Sequence, residues 1–197
     1  MRTPLALALA LLACESSSTR ALPEPAPAAA VSAGDSLPIA PPPPPPAVSA
    51  AVPDALRGLV EAHNARRAAH CAPPLAWSPE LAAVAQRHAD RLRAGGCNLV
   101  HSGGPYGENL YGASPAGGPT PADVVGSWYE ELSRYSFARP GFSMETGHFT
   151  QAVWRATQRV GCGLARCADG EVWVCNYDPP GNVEGQYREN VLPTGCR

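Results

Sequence analysis

The chain has no lysine; all 15 of its basic residues are arginine. The absence reflects compositional bias and marks no site, but the small basic count matters. Against 17 acidic residues the formal net charge is −2 and the isoelectric point is near 6.2, so the chain carries no basic footprint for nucleic acid. The apolar run at the N-terminus, Leu5 to Ala13, is only nine residues long, whereas a membrane-spanning helix needs about 20. Neither an H-E-x-x-H helix signature nor a G-x-S-x-G elbow occurs, so spacing alone points to no metalloprotease helix and no α/β-hydrolase nucleophile. Between Glu15 and Val52 there is no aromatic residue and no hydrophobic period, which excludes a packed core there. What is left of 197 residues accommodates one domain.

Residues 1–14 read as a signal peptide: Arg2 supplies the positive start and Leu5 to Ala13 the apolar stretch. The end of it, Leu11-Leu12-Ala13-Cys14, resembles a bacterial lipobox. On that reading Cys14 is the lipidation site, and several acyl chains anchor the protein to the bacterial envelope membrane. The other reading is an ordinary signal peptide cut near Ser18 or Ala21. Both remove Cys14 from the seven cysteines and leave six for disulfides in an oxidising compartment. Residues 15–53 form a disordered Ser/Ala/Pro-rich linker. Its six consecutive prolines, Pro41 to Pro46, favour an extended spacer.

The domain spans residues 54–197. Asp54 is placed to cap a helix running to His70, with Leu56, Leu59, Val60 and His63 on one face. Ser78-Pro79-Glu80 starts a second helix whose buried stripe is Leu81, Val84, Ala85 and Leu92, and Gly95-Gly96 stops it. Cys97 to His101 has a β-like pattern, and Ser102 to Gly118 reads as Gly-rich and irregular. Thr120-Pro121-Ala122-Asp123 opens a third helix carrying Val124, Val125, Trp128 and Leu132 inward. A loop from Arg134 to Thr146 and a short helix over Phe149 to Trp154 follow. Two strands, Arg159 to Ala165 and Glu171 to Tyr177, are joined by the turn Ala168-Asp169-Gly170. Helices followed by strands, without βαβ spacing, give an α+β layered domain.

Seven ordered pieces carry a family resemblance: HNARR (His63 to Arg67), PLAW (Pro74 to Trp77), CNLVHS (Cys97 to Ser102), GENL (Gly107 to Leu110), SWYEE (Ser127 to Glu131), GHFTQAVW (Gly147 to Trp154) and CNYDPPGN (Cys175 to Asn182). Over Leu56 to Tyr187 the chain resembles the CAP superfamily of cysteine-rich secretory proteins, antigen 5 and plant pathogenesis-related class 1 proteins, the last especially through CNLVHSG. It departs at Ala152, where a larger aliphatic is usual, and at Trp173, where a smaller strand residue is usual. The resemblance implies a three-layer α-β-α sandwich around a central antiparallel sheet. It also implies disulfides Cys162 with Cys175 and Cys97 with Cys167, leaving Cys71 and Cys196 as the third pair.

The same resemblance brings His101, Glu108, Glu131 and His148 into one cleft; the family's W-x-x-E spacing, counted from Trp128, implies Glu131 and not its neighbour Glu130. Two imidazoles and two carboxylates suit Zn²⁺ or another divalent cation. They equally form a metal-free hydrogen-bonded network that holds the layers in register. Metal-free network, weak metal binding and catalytic metal all stay open, and no residue is assigned as catalytic. Ser102 directly follows His101 and reads as a turn hydroxyl; Asn64 and Arg67 read as internal capping or salt-bridge residues of the first helix. Asn176 and Asn182 flank the Asp178-Pro179-Pro180-Gly181 turn, with their side chains expected to bond local backbone. The implied function is a secreted or surface-tethered monomer, without enzymatic activity, that binds lipid, sterol or another hydrophobic ligand. The alternatives are a metal-dependent hydrolase using the His/Glu cleft and a surface-displayed defence or interaction protein.

Overall fold

A computed structural model of the chain describes residues 52–196. The stretches expected to be a signal peptide ending at Cys14 and, but for its last two residues, a Ser/Ala/Pro-rich linker lie outside the described residues. The elements in order are α1 (Leu59–Ala69), β1 (Ala76–Trp77), α2 (Pro79–Ala94), β2 (Gly107–Ala113), α3 (Pro121–Glu130), α4 (Gly147–Val153), β3 (Arg159–Arg166), β4 (Glu171–Asp178) and α5 (Tyr187–Asn190). The strands form one sheet in the order β1-β3-β4-β2. β3 with β4 and β4 with β2 are antiparallel, whereas the two-residue β1 adds a parallel edge on β3.

Every residue of β4 from Glu171 to Tyr177 is buried because helices cover both faces of the sheet. Alternation along the strands sorts the side chains. Val160, Cys162, Trp173, Cys175 and Tyr177 face a core shared with Leu59 of α1 and Val124, Val125 and Trp128 of α3. Ala165, Val172 and Val174 meet Ala85, Ala89 and Leu92 of α2. On this second face β3 carries Gly161 and Gly163, and α2 lies directly on them. A Cβ at Gly161 would stand 2.2 Å from the Ala82 nitrogen, and one at Gly163 would stand 2.4 Å from the Gln86 Cα. Gln86 then serves as a strand edge, donating to the Leu164 carbonyl at 2.9 Å and accepting from the Leu164 N–H at 3.0 Å. The result is an α+β sandwich of three layers.

Local signals act as expected in α2 and α3. The Ser78 hydroxyl accepts from Leu81 N–H at 3.2 Å, and Thr120 and Asp123 form a reciprocal capping box. Three expectations fail. Asp54 does not cap α1: it opens a short 3₁₀ turn (Asp54–Leu56) and pairs with Arg57, because Gly58 at φ +97° breaks the path before Leu59. Cys97 to His101 is not a strand, since Cys97 sits at φ +62° and leads into irregular backbone. The strand lies instead in the stretch expected to be irregular, where β2 pairs with β4 along its whole length.

Three disulfides brace these layers: Cys162–Cys175 across the β3–β4 pair, Cys97–Cys167 from the end of α2 to the end of β3, and Cys71–Cys196. The last ties the C-terminal tail to the end of α1, where Gly195 N–H also donates to the Ala69 carbonyl at 3.1 Å and His70 Nδ1 to the Leu192 carbonyl at 2.5 Å. Arg67, fully buried, knits α1 to the rest by donating to the carbonyls of Pro73, Ala152, Trp154 and Thr157 at 2.8–3.0 Å. Burial lowers its pKa to about 10, against a smaller opposing effect of Tyr177.

Candidate functional site

Glu131 follows α3 directly, in a 3₁₀ turn (Glu131–Arg134), and its carboxylate is turned inward while Glu130 is exposed. One oxygen accepts from the backbone N–H groups of His148 and Phe149, both at 3.0 Å, and the other from His148 Nδ1 at 2.7 Å. Three donors on one carboxylate hold the start of α4 against the end of α3. The His148 ring lies nearly parallel to Trp128, with an interplanar angle of 13°. Its backbone carbonyl accepts from Asn109 Nδ2 at 3.0 Å.

Across the cleft, Glu108 of β2 accepts from His101 Nδ1 at 2.8 Å and from Ser102 N–H at 2.9 Å, both on Oε1. Its other oxygen is buried and has no hydrogen-bond partner. The Glu108 side chain is 7% exposed, the His101 side chain 59%. A carboxylate only accepts, so each glutamate fixes its histidine with the proton on Nδ1. Nε2 of each imidazole is left with a free lone pair. His101, Glu108 and His148 line one cavity of about 210 Å³, with Phe142 and Met144 also on its wall; Glu131 is not part of that lining and stands behind His148. The structure therefore separates the four expected residues into two His–Glu pairs. Among the described residues no group of three or more His, Cys, Asp or Glu side chains is disposed to hold a metal ion. A larger open groove of about 610 Å³ runs past Leu99, Gly112 and the Cys97–Cys167 bridge, and none of the four residues lines it.

Below the cleft lies a network that sequence reasoning missed. Asn109 Nδ2 also donates to the Tyr177 hydroxyl at 3.3 Å; Tyr177 bonds His63 Nε2 at 2.8 Å, and His63 Nδ1 donates to the Leu59 carbonyl at 2.8 Å. Full burial pushes the His63 pKa down to about 4 and raises that of Tyr177, so both stay neutral at ordinary pH. Asn109 stands in the GENL motif, but nothing in that motif announces which partners its amide finds. Asn182 also departs from expectation. Its amide donates to the Gly147 carbonyl at 2.9 Å and accepts from the Thr150 hydroxyl at 2.6 Å, so it braces α4 and not its own turn. Asn176 is buried with its Oδ1 unpartnered. The Ser102 hydroxyl accepts from Gly104 N–H at 3.3 Å, and among the described residues no Ser, Thr or Cys side chain is hydrogen-bonded to a histidine. The arrangement has no paired nucleophile and base of the kind acyl transfer requires. No helix among the described residues is long and apolar enough to cross a membrane.

The family model described as "Cysteine-rich secretory protein family" (CAP) matches residues 60–177. Protein PRY2 of Saccharomyces cerevisiae is 45% identical over 141 residues, which are 68% of this chain and 40% of that protein. Pathogenesis-related protein 1 of Arabidopsis thaliana is 41% identical over 130 residues, 66% of this chain and 79% of that protein. The chain thus spans well under half the length of the yeast relative and most of the plant one. Among solved structures, the crystal structure of NaASP2 with Zn²⁺ superposes with a TM-score of 0.58 at 23% identity, covering 74% of this chain and 91% of that one; this shows a shared fold.

Proposed function

Because the chain belongs to the cysteine-rich secretory protein (CAP) family, we propose that it is a secreted binding protein without catalytic turnover, taking a lipid or sterol at the His101–His148 cavity beside a weakly held divalent cation. One observation carries the reading: both imidazoles are locked by carboxylates on Nδ1 and keep Nε2 free at a shared cavity. That is the outer-sphere carboxylate arrangement that orients metal-binding histidines. Two imidazole nitrogens suit Zn²⁺, and the unpartnered, buried Glu108 oxygen supplies uncompensated negative charge nearby. NaASP2 was crystallised with Zn²⁺; here the cation rests on the donor set. The apolar part of the ligand would meet Phe142 and Met144, which stand 53% and 80% exposed on the same wall. The family's secretory character and the signal-like N-terminus support export.

Titrating the purified protein with Zn²⁺ by calorimetry, and with a fluorescent sterol or fatty-acid analogue, tests the reading. Saturable binding of both is expected, with Zn²⁺ binding lost in His101→Ala/His148→Ala and analogue binding about tenfold weaker in Phe142→Ala/Met144→Ala. The hydrolase alternative would hold its metal on His101 and His148 and use the Glu108 or Glu131 carboxylate as base. Ester turnover by the wild type that disappears in the double-histidine variant would select that alternative and sink the binding-only reading.

A further inference from the structure

Behind the cleft, α2 carries one more histidine, on a position that looks like core. His88 is buried on the helix face that packs against the sheet. Arg91 Nη2 lies 3.2 Å from its Nδ1. A guanidinium has donors only, so Nδ1 must accept and the ring proton sits on Nε2. That proton is donated to the Val100 carbonyl at 2.8 Å. The tautomer is therefore fixed from both sides, and it is opposite to that of the two cleft histidines.

The location of Val100 gives this bond its consequence. It precedes His101 on the irregular segment between α2 and β2, and Val100 is 63% and Leu99 48% exposed. Burial of those side chains therefore does little to hold the segment. Among the described residues, no other hydrogen bond reaches Leu99 or Val100 or the backbone of His101. The same Nε2 stands 3.9 Å from Glu108 Oε2, with both side chains 7% exposed. Its single proton is spent on Val100, so this approach is not an ion pair. His88 walls off the rear of Glu108 without satisfying it, which accounts for the unpartnered oxygen.

We infer that His88, oriented by Arg91, is a positioning residue for the exposed half of the cleft: it fixes the Val100 carbonyl, hence the approach of His101, and closes the back of Glu108. It touches no ligand itself. Only the cation readout below rests on the function proposed above.

The test is the imidazole ¹⁵N–¹H correlation spectrum of the metal-free full chain, at a pH where the histidines are neutral, followed by a Zn²⁺ titration. His88→Phe keeps a ring but loses the donor; His88→Gln restores an amide donor at similar reach. In His88→Phe, His101 is expected to pass from one Nδ1–H tautomer to an averaged signal while His148 is unchanged. Zn²⁺ affinity should fall 10–100-fold, the range for loss of an outer-sphere partner. His88→Gln should recover the His101 signal and bring affinity to within about threefold of wild type. A folded His88→Phe whose His101 signals match wild type overturns the inference, whatever Zn²⁺ does. Should His88→Phe not fold, Arg91→Ala decides: freed of its fixed tautomer, His88 should perturb His101, and an unperturbed His101 overturns the inference. A wild type that binds no Zn²⁺ defeats the cation reading but leaves the tautomer readout to decide the role of His88.

Discussion

His148 and His101 each give an Nδ1 proton to a glutamate, at 2.7 and 2.8 Å, but the supports behind them differ. Glu131 accepts three hydrogen bonds, two of them from backbone at the start of α4. The His148 carbonyl is held by Asn109, Asn109 in turn by the Tyr177 hydroxyl, and Tyr177 by His63. Glu108 accepts two bonds, leaves an oxygen unpaired, and faces a histidine on a segment whose apolar side chains are exposed. The same pair of functional groups is thus a structural rivet on one side and a sparsely supported, solvent-facing pair on the other. The identity of the residues does not distinguish the two; the number of bonds behind them does.

The largest expected effect comes from breaking the rivet. Glu131→Ala strands two backbone N–H groups and a histidine, and should cost about 3 kcal/mol or more, given 1.5–3 kcal/mol for bonds to a charged group. At 2–4 °C per kcal/mol for a domain of this size, the melting temperature falls by roughly 6–12 °C. Glu108→Ala removes an oxygen that is buried unpaired and should cost no more than about 1 kcal/mol. Equal losses in calorimetric melts would erase the contrast.

Acid should expose the rivet side next. The His63 pKa is about 4 in the folded chain against an ordinary 6.5. The unfolded chain therefore binds this proton first, and stability falls as pH drops below 6.5, with the cost complete below about 4. The full cost is about 3 kcal/mol at 1.36 kcal/mol per pKa unit. Urea melts at pH 7.5 and 4.5 should show His63→Phe losing less stability between the two than wild type does. An unchanged pH slope would mean that His63 is not buried as a neutral ring.

A smaller effect separates the two cleft histidines. His148→Ala should destabilise by about 1–2 kcal/mol, because it unpairs one oxygen of a buried carboxylate. His101→Ala, at an exposed site, should stay within about 0.5 kcal/mol. Both should still remove Zn²⁺ binding. A His101→Ala variant that melts as low as His148→Ala would move His101 to the structural side.

Much of this architecture is legible where local chemistry and hydrophobic period agree. The Ser-Pro-Glu start of α2, the Thr120–Asp123 box of α3 and the β3–β4 alternation all announce their elements. The choice of Glu131 over Glu130 comes instead from the family's W-x-x-E spacing, by resemblance. Illegible features are those made by partners distant in sequence. β2 contains two glycines and a buried Asn109, and becomes a strand because β4 pairs with it and Trp128 Nε1 donates to its Leu110 carbonyl. His88 shares the buried face of α2 with Leu81, Ala85, Ala89 and Leu92, so its spacing says core. Its acceptor is a backbone carbonyl, which leaves no trace in residue identity. Asn182 fails for the same reason, its partners lying over 30 residues back on α4.

The Cys71–Cys196 bridge also sets how the domain bears load. It closes a covalent loop 125 residues in separation, entered just after α1 and left at the tail. Tension applied through the two chain ends is carried by that crosslink past everything between. Of the described residues, only 52–70 lie outside the loop on the N-terminal side, a contour of about 65 Å at full extension. Stretched, the chain would peel α1 and stop there, with His101, Glu108, Glu131 and His148 still inside the covalent ring.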